Sequence, residues 1–171
     1  MKLPLISRLT TRQYFLLLFL FVLGLLLYAY YLQYGQNLFP CNLCILQRFG
    51  FIGVFFVSLA ATLHNPRLLG QRIYLFLAAL SAGFGLSVGI RQIILQRQPP
   101  KLFSECGSDL NTLLNNLPLS DVFNALFYSS GDCSKVDWTF LGFSIAEWSA
   151  AMFALIILSI VLVFFGFNKR N

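Results

Sequence analysis

Four cysteines, Cys41, Cys44, Cys106 and Cys133, are the side chains of this sequence best suited to covalent chemistry. The first two form a C-x-x-C pair, Cys41-Asn42-Leu43-Cys44. Such a pair closes a small disulfide ring that opens and closes readily, and the thiolate is the form that attacks or leaves in exchange. Pro40 precedes the pair. Proline cannot continue a helix from before it but suits the first turn of a new one, so both cysteines are expected at or near a helix N-terminus. The helix dipole there favours a thiolate. Arg48 follows Cys44 by four residues, one turn along the same face. A guanidinium in that place would stabilise a Cys44 thiolate and could donate to a bound carbonyl oxygen. The competing reading is an arginine that snorkels to lipid phosphates. The functional role is preferred because Cys44 shares its face and ionisable groups at membrane depth are often functional.

The elements that must position these residues follow from composition. The chain has 171 residues, 58% of them apolar and 11% charged, against about 25% charged in an average soluble domain. So few charges cannot cover a soluble core of this size, and the bilayer is the natural solvent for the excess. A spanning helix needs about 20 mostly apolar residues. Four stretches qualify, at about 14–32, 45–63, 73–92 and 145–167. The fold class expected is an all-α membrane protein, a four-transmembrane-helix bundle forming a single membrane domain over 1–171, with outer loops at about 33–44 and 96–143. The first apolar run is too long for a signal-peptide core and lacks an A-x-A-like cleavage site, so a retained helix is expected.

Charge orients the bundle. Lys2, Arg8, Arg12, Arg67, Arg72, Lys169 and Arg170 make seven basic residues on one side, with no acidic residue. The other side holds five, Arg48, Arg91, Arg97, Lys101 and Lys135, and all six acidic residues. The positive-inside bias puts both termini in the cytoplasm and all four cysteines where disulfides persist. Topology thus accounts for the net charge of +6, and no nucleic-acid partner is needed.

Further along, Ser81, Gly85 and Gly89 form a small-residue stripe that lets another helix approach. Pro99-Pro100 ends the third helix. Leu110, Leu113, Leu114 and Leu117, then Val122, Phe123, Leu126 and Phe127, suggest short amphipathic segments on the membrane surface. Ser144-Ile145-Ala146-Glu147 matches a capping box, which makes Glu147 a cap rather than a catalytic carboxylate, and Trp138 and Trp148 flank it at interface depth. The single histidine, His64, sits in the turn His64-Asn65-Pro66-Arg67, where a loop residue is preferred over a metal ligand.

Cys106 and Cys133 stand 27 residues apart. They could be a plain loop staple, typically worth about 2–4 kcal/mol. With the first pair they could also form a chain of exchangeable disulfides, or all four thiolates could bind zinc. Redox exchange is preferred over zinc, because the outer compartment oxidises thiols and the second pair lacks a short-spaced ligand pattern. A net oxidant needs an electron sink. The sequence has no haem C-x-x-C-H, no Rossmann glycines and no histidine cluster. A lipid-soluble acceptor beside Cys44 is the simplest sink that remains.

Cys41-Asn42-Leu43-Cys44-Ile45-Leu46-Gln47-Arg48, Cys106, Gly131-Asp132-Cys133 and Trp138-Thr139-Phe140-Leu141-Gly142 together resemble the DsbB family (disulfide bond formation protein B) over nearly the whole chain. The resemblance implies a quinone-dependent thiol oxidase, using ubiquinone or menaquinone, that reoxidises a periplasmic thioredoxin-fold oxidant of the DsbA kind at the bacterial inner membrane. It implies that Cys106 forms the mixed disulfide with the partner. Cys133 pairs with Cys106 and can exchange with Cys41, while Cys44 and Arg48 stand at the quinone. Some members carry a histidine near the quinone at the outer end of helix three; here Gln96, Arg91 or Arg97 is expected to stand in. Two rivals are weighed. A vitamin K epoxide reductase-like enzyme would place its loop cysteines before the membrane C-x-x-C, and here the C-x-x-C comes first. A non-enzymatic membrane protein with structural disulfides would leave a dithiol partner unoxidised.

Overall fold

The computed structural model describes residues 10–36, 42–97 and 139–168. Four helices dominate it: α1 (Thr11–Gly35), α2 (Asn42–His64), α3 (Leu68–Arg97) and α4 (Ile145–Asn168). Each contains an apolar stretch long enough to cross a membrane. Leu17, Leu27, Phe56, Phe76, Leu80, Leu158 and Phe165 are exposed on the bundle's outside, a surface that lipid suits and water does not. This is the expected four-helix membrane bundle.

The helices run longer than their apolar cores suggest. α1 starts at Thr11 because Thr10 and Gln13 form a capping box: the Thr10 N–H donates to Gln13 Oε1 at 3.0 Å and the Gln13 N–H to Thr10 Oγ1 at 3.4 Å. α3 gains most, extending from the expected 73–92 to Leu68–Arg97, 30 residues or about 45 Å. That exceeds the roughly 30 Å of bilayer hydrocarbon. His64, expected in a loop, is the last residue of α2, with Nδ1 3.0 Å from the Tyr74 hydroxyl. Asn65 then closes the helix in the left-handed region (φ 43°), its N–H donating to Ala61 O at 3.1 Å.

In the bundle α2 packs between α1 and α3, and α3 between α2 and α4. The Tyr14 hydroxyl, 3.0 Å from Ser159 Oγ, ties α1 to α4. The core centres on Phe15, Val22, Val54, Ala78, Ala82, Phe153 and Ile156. The Phe51 and Phe153 rings stack with centroids 3.9 Å apart. The small-residue stripe makes this packing close. A Cβ on Gly50 would stand 2.9 Å from Gly85 Cα, and a Cβ on Gly85 only 2.2 Å from Phe153 Cζ. Gly53 faces Ser81 in the same way.

Before α4, β1 (Thr139–Phe140) and β2 (Phe143–Ser144) pair antiparallel, Phe140 opposite Phe143. No strand was expected there. The turn residues Leu141 (φ 54°) and Gly142 (φ 82°) both have positive φ, as a two-residue type I′ hairpin requires. Leucine rarely takes that conformation, so the turn is not signalled by its residue types.

Candidate functional site

The end of the bundle formed by the last turns of α1 and α3 and the first turns of α2 and α4 brings Cys44 together with a set of polar side chains. Cys44 lies in the first turn of α2, as the C-x-x-C and Pro40 led us to expect, and is half-buried. Its sulfur meets Gln92 of α3: Gln92 Nε2 donates to Cys44 Sγ at 3.2 Å, and Gln92 Oε1 lies 3.7 Å from the same sulfur. Gln92 is 3% exposed. Its carbonyl accepts from Gln47 Nε2 at 2.8 Å, and Gln47, also 3% exposed, accepts in turn from the Ser149 hydroxyl of α4. Three helices are therefore stitched together beside the sulfur by side-chain amides. Gly89 lets α4 come close here: a Cβ there would stand 3.2 Å from Ala150 Cβ.

Gln96, Arg91 and Arg97, expected to stand in for a histidine near the quinone, also belong to the end of α3. Gln96 Oε1 accepts from the Ser144 hydroxyl at 2.9 Å, and Arg97 pairs with Glu147 at 3.3 Å. Arg91 precedes Gln92 by one position, about 100° round the helix. Gln92 sits where the apolar run of α3 fades, so its residue type alone does not mark it. Gln47, part of the run from Cys41 to Arg48, follows Cys44 by three and so shares its side of the helix.

Arg48 is half-buried and held by α1. Its guanidinium donates to Gln33 Oε1 and, at 3.4 Å, to Ala29 O, with Cζ 5.4 Å from the Tyr30 ring centroid. A chain extended to lipid phosphates would not have these partners. The spacing placed Arg48 on the face of Cys44; the structure turns its head towards α1, one turn deeper than the sulfur. Gln33 was not anticipated.

The capping box at α4 forms as expected. The Ser144 N–H donates to Glu147 Oε2 at 2.9 Å and the Glu147 N–H to Ser144 Oγ at 3.3 Å. Glu147 is thus committed to the helix end and to Arg97. Trp148 Nε1 donates to Phe140 O at 3.1 Å, which fastens the hairpin to α4. Cys41, Cys106, Cys133, Pro40, Pro99-Pro100, Trp138 and the amphipathic stretches of 110–127 lie outside the described residues.

Chemically, this end offers a sulfur with an amide donor against it and a cation one turn away, set into an apolar bundle. Residues 11–163 match the family of disulfide bond formation protein DsbB. A disulfide bond formation protein B of Aromatoleum aromaticum is 44% identical over 155 residues, covering 91% of this chain and 90% of that protein. Those of Marinobacter nauticus and Azoarcus sp. are 45% and 41% identical, over 86% and 93% of this chain and 88% and 95% of theirs. A four-helix membrane bundle with a cysteine in this setting, and similarity along almost its full length, make the chain a member of the DsbB family, a disulfide-bond-forming oxidoreductase of the membrane.

Proposed function

We propose that this protein oxidises a periplasmic thioredoxin-fold dithiol protein of the DsbA kind and passes the electrons to a membrane quinone, ubiquinone or menaquinone. The observation that carries the reading is the setting of Cys44: a sulfur in the first turn of a membrane-spanning helix, against the Gln92 amide, with Arg48 on the next turn. A quinone carbonyl needs a hydrogen-bond donor, and its ring needs apolar surroundings. Arg48 and Gln92 supply donors, and the lipid-facing helices supply the rest.

The electrons move by disulfide exchange. A partner thiolate attacks Cys106 of a Cys106–Cys133 disulfide, forming a mixed disulfide and releasing Cys133. The second partner thiol then displaces Cys106, so the partner leaves oxidised. The reduced Cys106–Cys133 pair is reoxidised by the Cys41–Cys44 disulfide, with Cys133 exchanging at Cys41. The resulting Cys41–Cys44 dithiol gives two electrons and two protons to the quinone, and its disulfide reforms. The Arg48 charge and the Gln92 N–H favour the Cys44 thiolate from which the electrons depart. The orientation proposed is both termini cytoplasmic and all four cysteines periplasmic, in a bacterial inner membrane, on the seven-to-five basic asymmetry.

Mixing the purified protein with reduced partner and a soluble quinone, and following quinone absorbance, tests this. Quinone should disappear in step with partner thiols. Partner thiols that persist while quinone is present would reject the oxidase reading. The mixed-disulfide step has its own check. Cys133→Ala should trap a partner complex, and a complex that survives loss of Cys106 would reject the assignment.

A further inference from the structure

Arg48 belongs to α2, but among the described residues its charged head bonds only to α1. Nη1 donates to Gln33 Oε1 and Nη2 to Ala29 O at 3.4 Å, and Cζ stands 5.4 Å from the Tyr30 ring centroid. Chemistry fixes which way the Gln33 amide faces. A guanidinium has only donors, so the atom turned to it is the carbonyl oxygen. Ala29 and Gln33 are one helical turn apart on one face of α1. Within the helix the Gln33 N–H takes Ala29 O as its own acceptor, and Arg48 uses the second lone pair of that oxygen. Gln33 and the carbonyl one turn before it thus make a two-point seat, with the Tyr30 ring at its side.

The seat is built from neutral groups. No carboxylate pairs with Arg48 among the described residues, where the salt bridge is Arg97 with Glu147. Its charge is therefore held without being cancelled. An arginine has five N–H groups, and the two bonds to α1 leave three for another acceptor. Left to itself, so long and flexible a side chain would turn to lipid phosphates, and ordering it at each binding event would weaken the binding. A carboxylate at position 33 would hold the head more firmly but would neutralise it.

We propose that Gln33 is a positioning residue for the quinone, a neutral seat that fixes the Arg48 guanidinium and leaves its charge and remaining N–H groups for a quinone carbonyl. The inference rests on the oxidase reading and deepens it. It makes the outer end of α1 part of the quinone site, although α1 carries none of the cysteines.

The test reads quinone binding without partner or turnover. A short-chain quinone is titrated into the full-length protein, freed of quinone and in detergent, and quenching of tryptophan fluorescence is followed; Trp148 stands in the first turn of α4 at this end of the bundle. Thermal unfolding is recorded on the same samples. Gln33→Met keeps the length of the side chain and removes the acceptor. It should raise the quinone Kd about fivefold, the scale of one ordinary hydrogen bond. In an Arg48→Met background the same change should have no further effect, the ratio being taken from the initial slope where saturation is not reached. Gln33→Glu should leave the unfolding temperature no lower than native, because the seat is kept, yet weaken quinone binding by a similar factor. It also keeps the test available should Gln33→Met fail to fold. An unchanged Kd in Gln33→Met, with or without a lowered unfolding temperature, would overturn the proposal and leave Gln33 a strut between α1 and α2. Equal weakening in both backgrounds would overturn it too, since Gln33 would then act without Arg48, as would native binding in Gln33→Glu. A native protein that binds no quinone would instead reject the oxidase reading itself.

Discussion

The middle of the bundle and its Cys44 end use the same helices but hold them together differently. In the middle, α2, α3 and α4 meet through shape alone: Gly50 against Gly85, and Phe153 laid over Gly85 and stacked on Phe51. At the Cys44 end they meet through polar side chains: Gln47, Gln92 and Ser149 beside the sulfur, Gln96 with Ser144, and Arg97 with Glu147. Lipid is as apolar as a leucine core, so contact area drives helices together weakly, and close fit must supply the association where no polar group is present. A reactive sulfur needs donors, which close fit cannot provide. The proposed function therefore puts stability in one place and chemistry in another, and substitutions in the two places should separate.

The largest separable effect belongs to Arg48. Arg48→Gln removes a charge-assisted donor, a loss of about 1.5–3 kcal/mol if it acts fully in the step, or roughly ten- to 150-fold. It should appear as a raised KM for quinone, with single-turnover thiol exchange between partner and protein nearly unchanged. Arg48→Lys should be intermediate, because charge remains and the planar fork is lost. An unchanged KM in Arg48→Gln would make Arg48 merely a strut to α1. Next is Gly85→Ala, whose Cβ cannot fit beside Phe153. Overpacking of this kind costs about 1–3 kcal/mol, so thermal unfolding in detergent should fall while the molecules that remain folded keep their KM for quinone. Phe153→Leu should recover part of the loss. A changed KM with unchanged unfolding would reverse the assignment of roles. The smallest effect is expected at the far end. Tyr14→Phe removes one hydroxyl, and Ser159 retains its bond to Ile156 O at 2.7 Å. About 0.5–1.5 kcal/mol of stability should be lost, with no change in quinone kinetics.

What could be read from the sequence follows the range of each interaction. The four spans, the Ser144–Glu147 cap, the small-residue stripe and the place of Cys44 in a first helical turn all depend on residues within a few positions of each other, and all appear in the structure. The Thr10–Gln13 capping box was equally local and marks where α1 starts. The outer end of α3 was not local. Gln92, Gln96 and Arg97 look like a helix leaving the membrane, yet each continues the helix because α2 or α4 supplies its partner. The same cause hides Gln92 as a neighbour of Cys44. Sequence can name the polar candidates at a helix end, but only packing decides that Gln92 faces the sulfur. The direction of the Arg48 head was likewise set by Gln33 and Tyr30 on another helix.

The proposed passage of electrons through Cys44 to quinone is best followed by recording partner thiols and quinone absorbance together, in the native protein and in Cys44→Ser. The native protein should consume one quinone for every partner dithiol oxidised until one of them runs out. Cys44→Ser should oxidise partner only in a single stoichiometric round, through Cys106 and Cys133, and reduce no quinone. Continued quinone reduction by Cys44→Ser would contradict the assignment of this end of the bundle as the place where thiol chemistry meets the membrane.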